Sequence, residues 1–506
     1  MNVISSVITW AMEQRYRKID AVRKRPHEIQ EKVFAQLLTN AKLTKWGKAH
    51  GYKNIKTYQQ FAAQTPISTY EDLVPWFERI MLGEENALWP GKVTMFSKSS
   101  GTTNARSKFI PVTAQSLRDC HYKAGKDMIA VYLANRVGTK VLSGKNLALG
   151  GTLARAEENN KVWVGDVSAL IMKNLPFWAQ YLRTPSLDIA LMDKWEEKIE
   201  AIANATIQQN ISVISGVPTW NIVLLNRILE MNNAKHIHEV WPNLEVFLHG
   251  AVSFDPYREL FKKLIPGSQM SYLEIYNASE GFFGLQDDLS LPNEMLLMLD
   301  YGIFYEFLQL EELGKETPKA IPLSEVQMGV NYALIISTNA GLWRYMIGDT
   351  VRFTNLSPYR IKITGRTKHF INAFGEELII ENAEQAISKA CKQTDAIVNN
   401  FTAAPIYLNE AGKGGHEWII EFDKEPSSLP AFNQILDATL RTVNSDYDAK
   451  RYLDIALQLP TVRKVPTGTF YNWMKRRGKL GGQHKVPRLS NNRDYVEDIL
   501  AMLEEV

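Results

Sequence analysis

From Ser186 onward the chain alternates short apolar runs with longer amphipathic segments, at a spacing that few folds accommodate. Ile211–Ile214, Leu244–Leu248 and Ser271–Ile275 have the length and composition of buried strands. Between them, Thr219–Met231 and Asp255–Leu264 repeat their apolar residues at helical spacing, and Ser186 is placed to cap a helix running to about Gln209. Gly216-Val217-Pro218 supplies a turn. Strand–helix repetition of this kind predicts an α/β domain with a parallel sheet. Its loops then gather at the strand C-termini, where ligands of such sheets bind.

The flanking segments are less regular. Pro26 to about Lys45 reads as a helix, with Pro26 in the first turn and Gly47 as its stop. Val93–Phe96 and Lys108–Pro111 read as two strands around a polar loop, and Thr113–Leu133 as a helix. Met295–Gln309, Tyr332–Thr338 and Arg360–Thr364 read as further strands. Beyond Arg366 the pattern changes to helix (Glu376–Lys392), strand (Glu417–Phe422), helix (Ala431–Ser445) and a basic helical tail. A chain of 506 residues exceeds what one core usually supports. The expected division is a large α/β domain over residues 1–364 and a small α+β domain over 365–506.

Composition narrows the function classes. The 58 basic and 55 acidic side chains leave a net charge of +3, too little to make nucleic acid the main partner. Cys120 and Cys391, the 2 cysteines, have no metal or redox spacing and point to a reducing compartment. Met1–Met12 is apolar, but its basic residues follow the apolar run, so it reads as an amphipathic helix and not as a leader. No apolar run reaches membrane-spanning length, and a cytoplasmic protein is expected.

Five polar segments could carry chemistry. Ser97-Lys98-Ser99-Ser100-Gly101-Thr102-Thr103 joins two strands and offers hydroxyl and backbone N–H groups to phosphate oxygens. It lacks the GxxxxGK[ST] pattern and leads into a strand, and a solvated hairpin is the plainer alternative. Tyr276-Asn277-Ala278-Ser279-Glu280-Gly281 follows a buried strand, so Glu280 could hold Mg²⁺, which needs only one or two protein carboxylates. A turn with a solvated Glu is the competing reading. In Trp343-Arg344-Tyr345-Met346-Ile347-Gly348-Asp349, Asp349 could accept both ribose hydroxyls or simply shape a turn. Thr364-Gly365-Arg366-Thr367-Lys368 places a cation beside a flexible glycine at the expected domain boundary. Last comes the basic tail, with Lys475, Arg476, Arg477, Lys479, Lys485 and Arg488 interrupted by Gly478, Gly481 and Gly482.

The order of these segments resembles the adenylate-forming superfamily of acyl-CoA synthetases, peptide-synthetase adenylation domains and luciferases. Within it, the chain is most similar to the Gretchen Hagen family of acyl acid amido synthetases. The likeness runs from Phe61 to Arg488 through Thr69-Tyr70-Glu71-Asp72, Ser99-Ser100-Gly101-Thr102-Thr103, Tyr276-Asn277-Ala278-Ser279-Glu280, Gly341-Leu342-Trp343-Arg344-Tyr345, Ile347-Gly348-Asp349 and Gln483-His484-Lys485-Val486-Pro487-Arg488. The chain departs from the family pattern at Asn104-Ala105-Arg106, where more glycine is usual, and at Asn277, where a small residue is usual.

The resemblance implies a luciferase-like large domain that binds ATP and the acid, closed by a mobile C-terminal lid. ATP would be held by Ser99, Ser100, Gly101, Thr102, Thr103, Tyr276, Asn277, Ala278, Ser279, Asp349 and Arg366. Glu280 would sit near the magnesium. Lys485 would approach the reacting carboxylate and α-phosphate, with Lys479 its rival. The implied reaction is ATP-dependent adenylation of a carboxylic acid followed by acyl transfer to an amino acid or amine, in a monomer or weak oligomer. Transfer to CoA, or nucleotide binding without turnover, are the alternatives. An apolar acid pocket is expected near Val217–Trp220, with Phe177 and Trp178. No general base for the amine is evident.

Overall fold

The structure is a computed structural model and describes residues 3–99, 108–252, 254, 257–367, 370–376, 378–409, 413–451, 457–477 and 486–504. The predicted alternation forms one end of a 12-stranded sheet. There Arg183–Thr184, Lys145–Ala148, Ile211–Gly216, Val246–His249 and Ser271–Ala278 lie side by side and parallel. Successive residues of these strands are buried on opposite faces. Val213, Val246 and Leu248 pack toward the N-terminal helices, while Ile214 and Phe247 pack toward Leu224, Leu225, Ile228 and Phe261. Burial on both faces is why these strands read as apolar runs without alternation.

Pro218 opens the helix Pro218–Asn232, its fixed φ suiting the first turn, and Asn233 closes it in the left-handed region at φ 48°. The expected continuous helix from Ser186 to Gln209 is instead two helices, Leu187–Ala190 and Trp195–Thr206. A tertiary contact marks the break: the Lys198 amine donates to the carbonyl of Met192 at 3.1 Å and to that of Gly150 at 2.5 Å.

The other end of the sheet is built differently. From Gly281–Leu285 outward, through Met295–Leu297, Tyr359–Arg366, Tyr345–Leu356, Asn331–Thr338, Ile303–Gln309 and Ala320–Pro322, every pairing is antiparallel. Met295–Gln309 is two strands, not one, because the chain turns at Gly302 with φ 70°. Gly47 lies inside the short helix Lys45–Ala49 and ends nothing; the preceding helix stops at Ala41.

Met95–Ser99 and Lys108–Pro111 pair antiparallel, as the sequence predicts, within a separate 4-stranded sheet. The first helix, Val3–Lys24, is fastened by Arg15, which forms an ion pair with the buried Asp127 of the helix Tyr122–Asn135. Tyr301 donates to the same carboxylate at 2.7 Å.

After residue 366 the chain builds a smaller unit. Ile397–Ile406, Gly415–Lys424 and Thr461–Val465 form a 3-stranded sheet, with the helix Ile380–Thr394 before its first strand and Leu429–Val443 between its second and third. Its core is continuous with the helical face of the parallel strands, since Phe374, Leu378 and Trp418 cluster with Leu147, Phe247 and Tyr257. Tyr257 also donates to the Ala373 carbonyl at 2.5 Å. Among the described residues, no helix is long and apolar enough to cross a membrane.

Candidate active site

The site is assembled where the parallel strands give way to the antiparallel ones. Ser271–Ala278 turns back through Ser279 and Glu280 into Gly281–Leu285, so Glu280 occupies a hairpin turn between two strands. Farther along the sheet, past Met295–Leu297, come Tyr359–Arg366 and then Tyr345–Leu356, whose antiparallel register sets Asp349 directly opposite Arg366. The glycines preceding these two residues have φ of 99° at Gly348 and 147° at Gly365, conformations that a side chain resists. They let two closely paired strands turn both charged side chains into one place.

That place is tightly bonded. The Tyr276 phenol donates to Asp349 Oδ2 at 2.6 Å, and Arg366 Nε donates to Asp349 Oδ1 at 2.7 Å. Burial, followed by the nearby Asp349 charge, holds the Tyr276 hydroxyl protonated far above the ordinary phenol range, so it serves as a donor. Glu280 is buried, with its carboxyl pushed up chiefly by burial. Lys108 and Arg366 pull that shift back, while Asp349 adds to it. Tyr345 also feels the Glu280 charge, and its buried hydroxyl has no hydrogen-bond partner among the described residues.

The polar hairpin reaches this cluster from both of its arms. On one arm, Ser97 Oγ donates to Ser279 Oγ at 2.9 Å. On the other, Lys108, paired in register with Ser99, puts its charge beside Glu280. Of the segment between, Ser100, Gly101, Thr102 and Thr103 lie outside the described residues, as do Lys368, Lys479 and Lys485. Tyr276, Asn277, Ala278, Ser279 and Glu280 lie on one strand and its turn, Asp349 and Arg366 on two strands paired with each other, and the Tyr276–Asp349 hydrogen bond joins the two groups.

Arg344, part of the same sequence motif, has another role. Its side chain is buried against Glu306, with Nη2 to Oε1 at 2.8 Å, and donates to the carbonyls of Ala62 and Thr65. This network holds Arg344 at φ 43°, an uncommon conformation for a non-glycine residue, and fixes the entry into the strand that carries Asp349. Trp220, expected at an acid pocket, is partly buried in the core shared with the smaller unit and carries the Lys450 amine 4.4 Å over its ring. Sequence reasoning missed Lys108 and Tyr345. Only Tyr345 had a signal, its place within the Trp343–Asp349 motif.

A large α/β domain followed by a small α+β unit is the fold of the adenylate-forming enzymes. The solved AtGH3.15 acyl acid amido synthetase in complex with 2,4-DB superposes with a TM-score of 0.63 at 17% identity, covering 97% of this chain and 96% of that one. A 2-hydroxyisobutyryl-CoA ligase in complex with 2-HIB-AMP and CoA superposes at 0.55 and 12% identity, with 96% and 93% covered.

The family follows from sequence. Residues 15–270 match the GH3 family N-terminal domain, 296–366 the GH3 family central domain and 381–494 the GH3 family C-terminal domain; the chain belongs to the GH3 family. A curated relative, the indole-3-acetic acid-amido synthetase GH3.4 of Arabidopsis thaliana, is 23% identical, with 93% of this chain and 90% of that protein aligned.

Proposed function

We propose that this protein is an AMP-forming ligase that adenylates a carboxylic acid and transfers the acyl group to an amino acid or related amine. The observation that carries the reading is the convergence of Ser97, Ser279, Glu280, Asp349 and Arg366 from separate segments, with Ser97 on Ser279 and Arg366 on Asp349. Membership of a family whose curated relatives are amido synthetases supports it.

A free carboxylate resists amines because it is anionic and has no good leaving group. Activation solves both problems. A carboxylate oxygen attacks the α-phosphorus of ATP, the α–β bridging P–O bond breaks, and pyrophosphate leaves with the bond pair. An amine then attacks the acyl carbonyl, the acyl–phosphate C–O bond breaks, AMP leaves, and the amine gives up one proton. Asp349 is assigned to accept from ribose hydroxyls, a reading supported by Arg366 and Tyr276 fixing its carboxylate. Ser99, Ser100, Gly101, Thr102 and Thr103 are assigned to the phosphates, with Asn277, Ala278 and Ser279 beside the nucleotide.

Lys485 is assigned to the charge that develops at the α-phosphate, where one preorganised contact contributes on the order of 10²–10³ in rate. Glu280 fits Mg²⁺: it is a buried carboxyl raised by its surroundings, and a cation would restore the charged form. Mg²⁺ keeps most of its waters, so it needs no dense ligand cluster, and among the described residues no group of three or more His, Cys, Asp and Glu could hold a metal. When bound, the ion would neutralise phosphate charge. Residues 365–506 are assigned as a lid that excludes water from the adenylate.

The acceptor test is product analysis. With ATP and a competent acid, an acyl amide and AMP should form when amino acids are supplied. AMP release stimulated by CoA and not by amino acids would make the protein an acyl-CoA ligase.

A further inference from the structure

A cleft of about 380 Å³ opens between the helices Pro26–Ala41 and Tyr122–Asn135 and the chain turns at Gly302 and Asn339. That volume lies in the range of small-molecule sites, about 300–1,000 Å³, and far above the roughly 30 Å³ that one water occupies in the liquid. None of Ser97, Ser279, Glu280, Asp349 and Arg366 lines it. Its apolar wall is formed by the buried Val33 and Leu37.

The floor holds an unused donor. Asn339 is only 2% exposed, and its Nδ2 is buried without a hydrogen-bond partner among the described residues. Its backbone is anchored on both sides: the N–H donates to the Gly302 carbonyl at 3.0 Å, and the carbonyl accepts from Thr113 Oγ1 at 2.8 Å. Gly302 makes room for the amide, because a Cβ there would meet Asn339 Nδ2 at 2.3 Å, and both residues line the cleft. Native interiors rarely leave such a donor unpaired. The rim is positive, with Arg15, Arg118, Lys123 and Lys126 against Asp119 and Asp300. Arg15 is committed to Asp127, Arg118 to Asp119 and Lys123 to Asp300. Lys126 is exposed and has no ion pair among the described residues.

We propose that this cleft is a second binding site, for a small hydroxylated organic anion whose oxyanion meets Lys126 and whose hydroxyl oxygen accepts from Asn339 Nδ2. Burial divides the two roles. At the exposed Lys126 an oxyanion keeps much of its hydration, whereas in the floor, beside cations already paired, a charge would be costly to bury. The neutral amide there suits a neutral oxygen. A carboxylate and a phosphate monoester share this chemistry. The site shares no residue with the proposed ligase machinery and stands or falls apart from it.

The test is isothermal titration of the full-length protein, saturated with the unreactive analogue α,β-methylene-ATP, using malate and glycerol 3-phosphate as probes. At least one should bind, and which one does identifies the oxyanion. The hydroxyl-free counterparts, succinate and propyl phosphate, should bind about 10-fold more weakly than the probe each matches. Asn339→Leu and Lys126→Glu should each weaken probe binding by about 10-fold or more, with affinity for the ATP analogue unchanged. Lys126→Glu changes only an exposed side chain and covers the case in which Asn339→Leu fails to fold. No binding of either probe, equal binding of the hydroxyl-free counterpart, or binding undiminished in Lys126→Glu overturns the assignment and leaves the ligase reading intact.

Discussion

The hydroxyl of Tyr276 donates to Asp349 Oδ2 at 2.6 Å across two strands that are not neighbours in the sheet. With Arg366 on the other oxygen, the carboxylate is held from both sides before any nucleotide arrives. A carboxylate fixed in this way is preorganised to accept hydrogen bonds from a diol, since neither oxygen has to be reoriented.

Asp349→Ala should therefore weaken ATP binding by about 10- to 100-fold, the range expected for losing charge-assisted hydrogen bonds worth roughly 1.5–3 kcal/mol. Isothermal titration with ATP measures it. An unaltered dissociation constant would remove Asp349 from the nucleotide site.

Glu306→Ala should act on stability instead. Glu306 and Arg344 are almost wholly buried, and removing one partner strands the other charge in the core, at a cost of about 3–5 kcal/mol. Urea unfolding monitored by tryptophan fluorescence should show the loss. A change under 1 kcal/mol would mean that the Arg344 conformation is held by its carbonyl contacts alone.

Acid should destabilise the protein through two histidines. Burial lowers His121 to about 4, and burial together with the Arg258 charge lowers His249 to about 3, against 6.5 for the unfolded chain. The unfolded state therefore binds more protons below pH 6.5, so stability is full above that value and is lost as pH falls toward 4 and then 3. His121→Gln should flatten the pH dependence of unfolding free energy by about one proton between pH 6.5 and 4. An unchanged slope would place His121 in contact with solvent.

The two tail lysines should separate cleanly. Lys485→Ala should lower acid-dependent exchange by on the order of 10²–10³ while ATP affinity stays within about twofold. Lys479→Ala should exchange nearly as wild type. The reverse pattern moves the role to Lys479.

The strands Ile211–Gly216, Val246–His249 and Ser271–Ala278 were legible because two-sided burial leaves apolar runs, whereas the short Lys145–Ala148 and Arg183–Thr184 went unread; Pro218 marks its helix by the φ it fixes. Ile397–Ile406 escaped notice because its first half is largely solvated and polar, with Asn399 and Asn400 breaking the run. The break after Ala190 depends on an amine reaching carbonyls that are distant in sequence, which local propensity cannot register. At the site, Gly348-Asp349 and Gly365-Arg366 were visible as dipeptides, but their pairing is a product of strand register. The π-turn Leu117–His121 was hidden in a segment that reads as continuous helix, since such a turn has no distinct periodicity over so short a span.

The central claim is that separate polar segments make one pocket that activates an acid with ATP. Isotope exchange between pyrophosphate and ATP, measured across a panel of carboxylic acids with purified protein and Mg²⁺, tests it most directly. The account predicts exchange that requires both ATP and a particular acid and that falls sharply in Asp349→Ala. Tight ATP binding with no exchange for any acid would contradict it.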